Sequence, residues 1–394
     1  MVKYVSGDQN NVVLAVEGRI DATNASTFFE ELQMLRTEHG QPYLTIDIGE
    51  LEYISSAGLR SLLRQQKAEK EKLRLINASS EVAEIFSVTG FDQLMDVRKA
   101  YEKISVDGLP LIGQGANGKV YRIDEERIVK VYQPDASIED ITRERDLAQK
   151  AFVKGIMTAI TYNVVRCGDC FGVVFELLNA KSLSETIVDY PDLYEQYARE
   201  YVDVYRRFHQ TEVKPGEFPA AKDIYYDYID GCSDWYTAEE LGKLRMLVDS
   251  IPDRNTLIHG DYHARNIMVT DGELLMIDMG DVSMGHPIFD FLATAATQAN
   301  LVDLNPDYAP VHTGMPVEYI KRLWNDLLKL YFADRSEEEI ARIDKQIRMF
   351  AKLKVALAPV VGRGAGEDII RASVQDAKEH LLPEAGKLAG SVNW

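Results

Sequence analysis

Cysteine is scarce: Cys167, Cys170 and Cys232 are the three in 394 residues. An odd, small number in so long a chain excludes a disulfide scaffold and points to a reducing compartment. Long apolar runs are missing as well. None reaches the roughly 20 residues that a membrane-spanning helix needs. The opening MVKYVSGDQN lacks the basic-then-apolar pattern of a secretory signal. A cytoplasmic protein with no membrane association is expected. Positive charge is in deficit. Lys and Arg number 44 against 63 Asp and Glu, a formal net charge of −19. A field of that sign disfavours nucleic acid and anionic lipid as partners. Residues 1–105 hold 12 basic and 16 acidic residues, about −4, so about −15 falls on the rest. The sequence has no internal repeat and no low-complexity segment. Its hydrophobic share of 46% is that of a folded chain, and its length suggests about two or three domains.

The first hundred residues alternate strand and helix patterns. Val12–Val16, Tyr43–Ile48 and Leu73–Ile76 read as strands, and the apolar content of the second suits a buried parallel position. Between them lie helical stripes at Phe28, Leu32 and Leu35 and at Leu59, Leu62 and Leu63. A further helix begins at Val82, Ile85 and Phe86 and stops at Gly90. This order implies a small α/β unit with right-handed parallel crossovers. A connector follows near Tyr101–Gly108, and then the pattern changes. Leu111–Val131 reads as two strands around a Gly-rich turn, Thr142–Phe152 as a helix and Val173–Phe175 as a strand. From Leu193 onward the pattern is helical, apart from 257–281. Cys167-Gly-Asp-Cys170 has redox or zinc spacing, yet no second pair accompanies it and Gly-Asp is a common turn, so a plain hairpin is expected.

The segment from His259 to Asp281 carries the chemistry. It reads His259-Gly-Asp261-Tyr-His263-Ala-Arg-Asn266 and then, after ten residues, Ile277-Asp278-Met-Gly280-Asp281. Phosphoryl transfer asks for one carboxylate beside the attacking hydroxyl and oxygen ligands for Mg²⁺. Asp261 suits the first task, and Asn266 and Asp278 the second. Upstream, Gly113-Gln-Gly115-Ala-Asn-Gly118-Lys-Val120 has Gly-x-Gly-x-x-Gly-x-Val spacing. A dinucleotide fold uses the same glycines but follows them with a helix. Here strands follow, and one carries Lys130. That is the arrangement of a protein-kinase glycine loop over ATP phosphates with a strand Lys behind it. Glu144 is the expected helix partner of Lys130, with the earlier Glu139 as alternative.

The ordered set resembles the aminoglycoside phosphotransferase and choline kinase group of the protein-kinase-like fold, over roughly residues 107–394. Gly260 stands where protein kinases typically have Arg. Gly285-His-Pro-Ile-Phe-Asp290-Phe-Leu-Ala293 is similar to a Gly-Asp-Pro-x-x-Asp-Leu-Ala segment of that family, and Phe208-His209 also fits. The resemblance implies ATP and Mg²⁺ as cofactors, with Asp261 as catalytic base and Asn266 and Asp278 as metal ligands. Gly113, Gly115, Gly118, Val120, Lys130 and Glu144 would form the phosphate side of the site, and Glu176-Leu-Leu178 the adenine hinge. His259 and His263 would brace the catalytic loop, and Asp290 would anchor it. Asp281 would assist the acceptor or cap a turn.

Residues 1–100 resemble the STAS domain of anti-sigma factor antagonists. The likeness lies in Gly18-Arg-Ile-Asp21-Ala, in Leu51-Glu-Tyr-Ile-Ser55-Ser56-Ala-Gly58-Leu-Arg-Ser-Leu-Leu63 and in Val88-Thr-Gly90-Phe91. Ser56 matches the serine that a partner kinase phosphorylates in those proteins, while Ser55 replaces the preceding Asp. Phosphate at a helix N-terminus is favoured by the dipole, but Ser55 or Ser56 could equally be a plain N-cap.

The expected organisation is an α/β STAS domain at 1–102, a small mixed sheet with helices, and a linker at 103–108. An α+β two-lobed kinase-like domain follows, with its N-lobe at 109–180 and helical C-lobe at 181–394. The expected function is ATP-dependent transfer of the γ-phosphate to a hydroxyl of a small molecule, with a protein partner for the STAS domain. Two alternatives stand beside it: a kinase acting on Ser56, and a non-catalytic ATP-binding scaffold. Tyr225, Tyr226, Tyr228 and Trp235 are candidates for an acceptor pocket or for helix packing.

Overall fold

Two compact units, Met1–Lys103 and Ile104–Trp394, make up the chain. The computed structural model describes residues 2–7, 11–40, 43–115, 118–270, 272–304, 306–307, 309–362 and 366–394.

In the first unit β1 (Val2–Gly7), β2 (Asn11–Ile20), β3 (Tyr43–Ile54), β4 (Arg74–Ala78) and β5 (Asp96–Lys99) form one sheet in that order. β1 runs antiparallel to β2, and the other three pairings are parallel. Parallel neighbours need long crossovers. Helices α1 (Ala25–Glu38), α2 (Ser56–Ala68) and α3 (Ser80–Val88) supply them. β3 buries Leu44, Thr45, Ile46 and Ile48 almost without alternation, as an interior parallel strand does. Periodicity alone does not mark the edge strands. β1 is exposed beyond Val2, so it carries little apolar signal.

α2 starts where its N-cap demands. The Ser55 hydroxyl accepts a hydrogen bond from the Gly58 N–H at 3.4 Å, and Ser56 is the first helical residue, exposed. The helix buries Leu59 and Leu62, while Leu63 is only half-buried. Ser61 and Gln65 take the remaining buried positions, and the Ser61 hydroxyl donates to the Ala25 carbonyl at 2.9 Å. Gly58 is dictated by space. A Cβ there would lie 2.6 Å from Ile20 Cγ2 and 2.7 Å from Ile54 Cγ1.

The second unit begins with an antiparallel sheet. Its strands are β6 (Leu111–Gly115), β7 (Gly118–Arg122), β8 (Arg127–Tyr132), β9 (Thr161–Cys167) and β10 (Cys170–Glu176), in the order β9-β10-β8-β7-β6. Three strands, not two, lie between Leu111 and Tyr132. Asp124 makes the extra turn, its carboxylate accepting from the Glu126 and Arg127 N–H groups at 2.9 and 2.8 Å. Cys167-Gly-Asp-Cys170 is the hairpin turn between β9 and β10, with Gly168 at φ +61°. α4 (Ile138–Val153), capped by Ser137, packs on these strands.

The remainder is mainly helical: α5 (Leu183–Asp189), α6 (Tyr194–Gln210), α7 (Ala221–Gly231), α8 (Ala238–Asp249), α9 (Ile288–Ala295), α10 (Val317–Tyr331) and α11 (Glu337–Ala356). α9 is buried at every position and packs against α11. α6 turns Tyr194, Tyr197, Tyr201, Tyr205 and Phe208 into the core at helical spacing. Between α8 and α9 run the short strand Leu257–Ile258 and the hairpin of Ile267–Thr270 with Glu273–Met276. Among the described residues no helix is long and apolar enough to cross a membrane.

Substitution Gly58→Val should overpack the junction of α2 with β2 and β3. Denaturant unfolding of the full chain should show the first unit destabilised by about 1–3 kcal/mol, with hydrogen-exchange protection lost in β2 and β3. Unchanged protection there would show that Ile20 and Ile54 have room to give.

Candidate active site

A strand end, a turn and a hairpin present the His259–Asp281 residues. His259–His263 leave the strand Leu257–Ile258, and Ala264–Asn266 form one 3₁₀ turn. The Asn266 N–H donates to the His263 carbonyl at 2.9 Å, and the Ile277 N–H to the Asn266 carbonyl at 2.9 Å. These bonds bring the two halves of the segment together across the hairpin. The Asn266 amide then donates to the Asp261 carbonyl at 3.1 Å, which turns its amide oxygen the other way. Asp278 sits at φ +61°, an uncommon conformation for a residue with a side chain.

One buried carboxylate holds the loop. Asp290, on α9, is fully buried. It accepts from the His259 N–H at 2.9 Å, from the Gly260 N–H at 2.6 Å and from His209 Nε2 at 3.0 Å. His209 Nδ1 is in turn 2.8 Å from the Tyr331 hydroxyl. The loop braces itself as well. The Asp261 N–H donates to His259 Nδ1 at 3.3 Å, and His259 Nε2 lies 3.4 Å from the Ile277 carbonyl. Gly260 has φ +84°, and a Cβ there would meet the Asp281 carbonyl at 2.6 Å. An arginine at this position is excluded on both counts.

Lys130 lies on β8 and makes two ion pairs, to Glu144 at 2.8 Å and to Asp278 at 3.0 Å. Burial works against its charge, but Asp278 and Glu144 outweigh it and hold the ammonium above its usual pKa. The nearby Tyr132 ring is 5.0 Å from the Lys130 nitrogen. Val120 stands opposite Lys130 across the β7–β8 pairing. Gly115 pairs with Gly118 at the tip of the glycine hairpin. A Cβ on Gly118 would lie 2.1 Å from the Val131 carbonyl, so that position requires glycine. Ala116 and Asn117, between them, lie outside the described residues. At the end of β10 the Glu176 N–H is taken by the Ile160 carbonyl and the Leu177 N–H by the Glu126 carbonyl. Among the described residues the Leu178 N–H has no acceptor.

Asp261 is subject to opposing effects. Burial favours its neutral form, but the His263 hydrogen bond and charge, followed by the Lys354 and His259 charges, hold the carboxyl well below the usual carboxylate range. His263 Nε2 is 3.5 Å from Asp261 Oδ2. Asp281 goes the other way: burial raises it, Lys354 offsets part of that, and Asp261 and Asp278 add repulsion. Two carboxylates, twenty residues apart in the chain, are thus pushed in opposite directions, which is a frequent property of working sites.

A cleft lies against Gly260 and Asp281. Tyr225 and Tyr228 of α7 line it, whereas Tyr226 bonds to Asp249 and Trp235 stacks with Arg371 at 5.5 Å. Lys354, on α11, also lines the cleft. Nothing in the sequence singles it out, because it lies 73 residues beyond Asp281 in an ordinary amphipathic helix. Ser56 belongs to the first unit and stands exposed at the start of α2.

The profile of the phosphotransferase enzyme family matches residues 108–310, and that of a STAS domain (Mlab, STAS domain) matches residues 4–97. BtrV of Bordetella bronchiseptica, named as a candidate anti-sigma factor antagonist, is 30% identical over 94 residues, which cover 23% of this chain and 80% of that protein. Among solved structures, ADP-bound aminoglycoside phosphotransferase APH(2'')-Ib is similar over 77% of this chain and 98% of its own, with 16% identity and a TM-score of 0.48. A choline/ethanolamine kinase family protein from Mesorhizobium loti is similar over 72% of this chain and 92% of its own, with 14% identity and a TM-score of 0.45. The family match rests on the profiles, and structural similarity at this level adds no argument to it.

Removing the Asp290 carboxylate should leave two buried N–H groups and His209 without their acceptor. Asp290→Ala should destabilise the second unit by more than about 3 kcal/mol, measured by denaturant unfolding. A loss under about 1 kcal/mol would mean that the loop finds other acceptors.

Proposed function

The chain belongs to the phosphotransferase enzyme family and carries a STAS domain ahead of the matched region, and on that premise we propose that it transfers the γ-phosphate of ATP to a hydroxyl group of a small molecule. The observation that carries this reading is Lys130. It pairs at once with Glu144 of α4 and with Asp278 of the Asp-x-Gly turn. A lysine held between those two carboxylates stands where it can exchange Asp278 for nucleotide phosphates. Its pairing with Glu144 keeps it extended meanwhile.

In this mechanism the glycine hairpin covers the phosphates with its backbone, which is why side chains are absent at Gly113, Gly115 and Gly118. Adenine rests against Glu176–Leu178, where the Leu178 N–H is available as a donor. Asp261 accepts the proton of the acceptor hydroxyl as its oxygen bonds to the γ-phosphorus. The bond from that phosphorus to the bridging oxygen breaks, and ADP leaves. The depressed pKa of Asp261 means that it is ionised throughout the physiological range and takes the proton late, as phosphoryl transfer permits.

The donor set fits Mg²⁺. Asn266 and Asp278 offer hard oxygens. Among the described residues no three His, Cys, Asp or Glu side chains form a preformed cage. A small hard cation that takes few protein ligands and completes its shell with phosphates and water suits such a site. When bound, it neutralises charge on the phosphates. A cytoplasmic location agrees with the need for ATP and with the three unpaired cysteines.

Substitution Asp261→Asn should lower kcat by about 10²–10⁴-fold while nucleotide affinity, measured by calorimetry, stays within a few-fold. Near-normal turnover in that variant would remove Asp261 from the role of base.

A second reading is favoured by the exposure of Ser56 at the start of α2. There a phosphate would meet unsatisfied N–H groups. Fusion to a kinase also supplies a high effective concentration. In this reading the chain phosphorylates its own STAS domain or another copy's, and a protein partner of that domain reads the added charge. Intact mass after incubation with Mg-ATP tests it. One added phosphate, lost in Ser56→Ala, is the expected result. An unchanged mass, or phosphate kept in that variant, sinks it.

A further inference from the structure

We propose that the acceptor is a small hydroxylated compound carrying one anionic group, and that Lys354 binds that group in the cleft beside Asp261. This deepens the phosphotransfer reading and rests on it. The cleft is built by parts that do not hold nucleotide in that reading. α7 contributes Ile224, Tyr225 and Tyr228, α9 contributes Phe289, and the turn before Asp261 contributes Gly260. Because Gly260 immediately precedes Asp261, the cleft borders the turn that carries the base.

The walls of the cleft are mostly apolar and aromatic, and its charged side chains are Asp281 and Lys354.

Charge narrows the acceptor. A half-buried lysine lays its stem on apolar surface and keeps its ammonium available to water or to a ligand. Among the described residues the Lys354 ammonium makes neither a hydrogen bond nor an ion pair. The Tyr225 ring stands near it, with the centroid 6.0 Å away. This lysine therefore enters a confined apolar cleft with its donors unspent. Its charge reaches both Asp261 and Asp281 without a bridge to either. Asp281 shares the cleft, where burial pushes its carboxyl up and Lys354 offsets part of that. A cationic acceptor in the cleft would meet repulsion from Lys354. A carboxylate or phosphate would find three unused donors.

The test uses the full chain with Mg-ATP and a set of acceptors sorted by charge. Glycerate and pantothenate represent carboxylates, and glycerol phosphate and inositol phosphate represent phosphate esters. Choline, ethanolamine and kanamycin represent cations, and glycerol and inositol are neutral controls. ADP release and product mass are the readouts. Turnover is expected within the carboxylate or the phosphate arm, and the arm that reacts identifies the anion. With that acceptor, Lys354→Met should raise the acceptor KM by about tenfold or more and leave kcat and the KM for ATP nearly unchanged. Lys354→Arg should recover most of the affinity. Turnover by cations or neutral compounds alone, no turnover by any anion, or an unaltered acceptor KM in Lys354→Met would each overturn the assignment. Wild-type selectivity decides the matter without a variant should Lys354→Met fail to fold. The phosphotransfer reading fails separately, by absence of Mg-ATP binding in calorimetry of the wild-type chain.

Discussion

The Asp290 carboxylate is the constraint on which the candidate site depends. Two successive backbone N–H groups, at His259 and Gly260, point into it, and His209 closes the third side. Peptide groups so aligned cannot rotate without leaving a buried donor unpaired, at a cost of about 1–3 kcal/mol each. The loop conformation that results includes φ +84° at Gly260. That turn sets the direction in which Asp261 leaves the backbone. Asp290 gains from the same arrangement, since a buried carboxylate is tolerable only when its oxygens are hydrogen-bonded. Three distant stretches of sequence, α6, the Leu257–Asp261 segment and α9, are thereby held to a common point.

A second electrostatic junction lies at Lys130. Its pairs with Glu144 and Asp278 join the strand sheet to the Asp-x-Gly turn. The pairs are partly buried, so solvent screens them less than surface bridges. The ammonium faces two carboxylates, and any group that replaces one of them must also be anionic. That is a physical reason for reading the junction as a phosphate site, independent of family membership. The carboxylates at Asp261 and Asp281 complete the picture. Burial raises the pKa of both, and Lys354 and His259 lower both; the His263 hydrogen bond and charge tip Asp261 down, while Asp261 and Asp278 add to the rise at Asp281.

Much of the architecture was legible in the chain. Apolar patterns marked β2, β3 and β4, and the near-continuous run of β3 marked a parallel position, because such a strand is covered on both faces. Helix spacing marked α1, α2 and α3. The edge strand β1 left no such trace, because an exposed strand has no need of an apolar pattern. In α2 Leu59 and Leu62 of the leucine stripe are buried, and Ser61 and Gln65 are buried beside them in preference to Leu63, since a hydroxyl that finds a carbonyl can be buried cheaply. At the glycine hairpin the spacing identified a turn and a following strand. It could not show that Asp124 would insert a second turn before Lys130. In the α7 tyrosines the sequence left packing and pocket equally open. The fold separates them, with Tyr225 and Tyr228 on the cleft and Tyr226 on Asp249.

Sequence by itself determined the inventory and order of the chemistry. Glycine loop, strand lysine, helix glutamate, Asp-x₄-Asn and Asp-x-Gly are short-range patterns, and their meaning survives in one dimension because each is used within a single turn or strand. Cysteine scarcity and the acid excess likewise needed no structure. Tertiary structure alone decided which of those groups share a site and what surrounds them. Lys354 is 73 residues from Asp281 in the chain and has no motif around it, yet helix packing brings its charge to Asp261 and Asp281. The pKa of a carboxylate and the shape of a cleft depend on neighbours in space. Those neighbours come from α7, α9 and α11, elements that meet only because their apolar faces must be buried together.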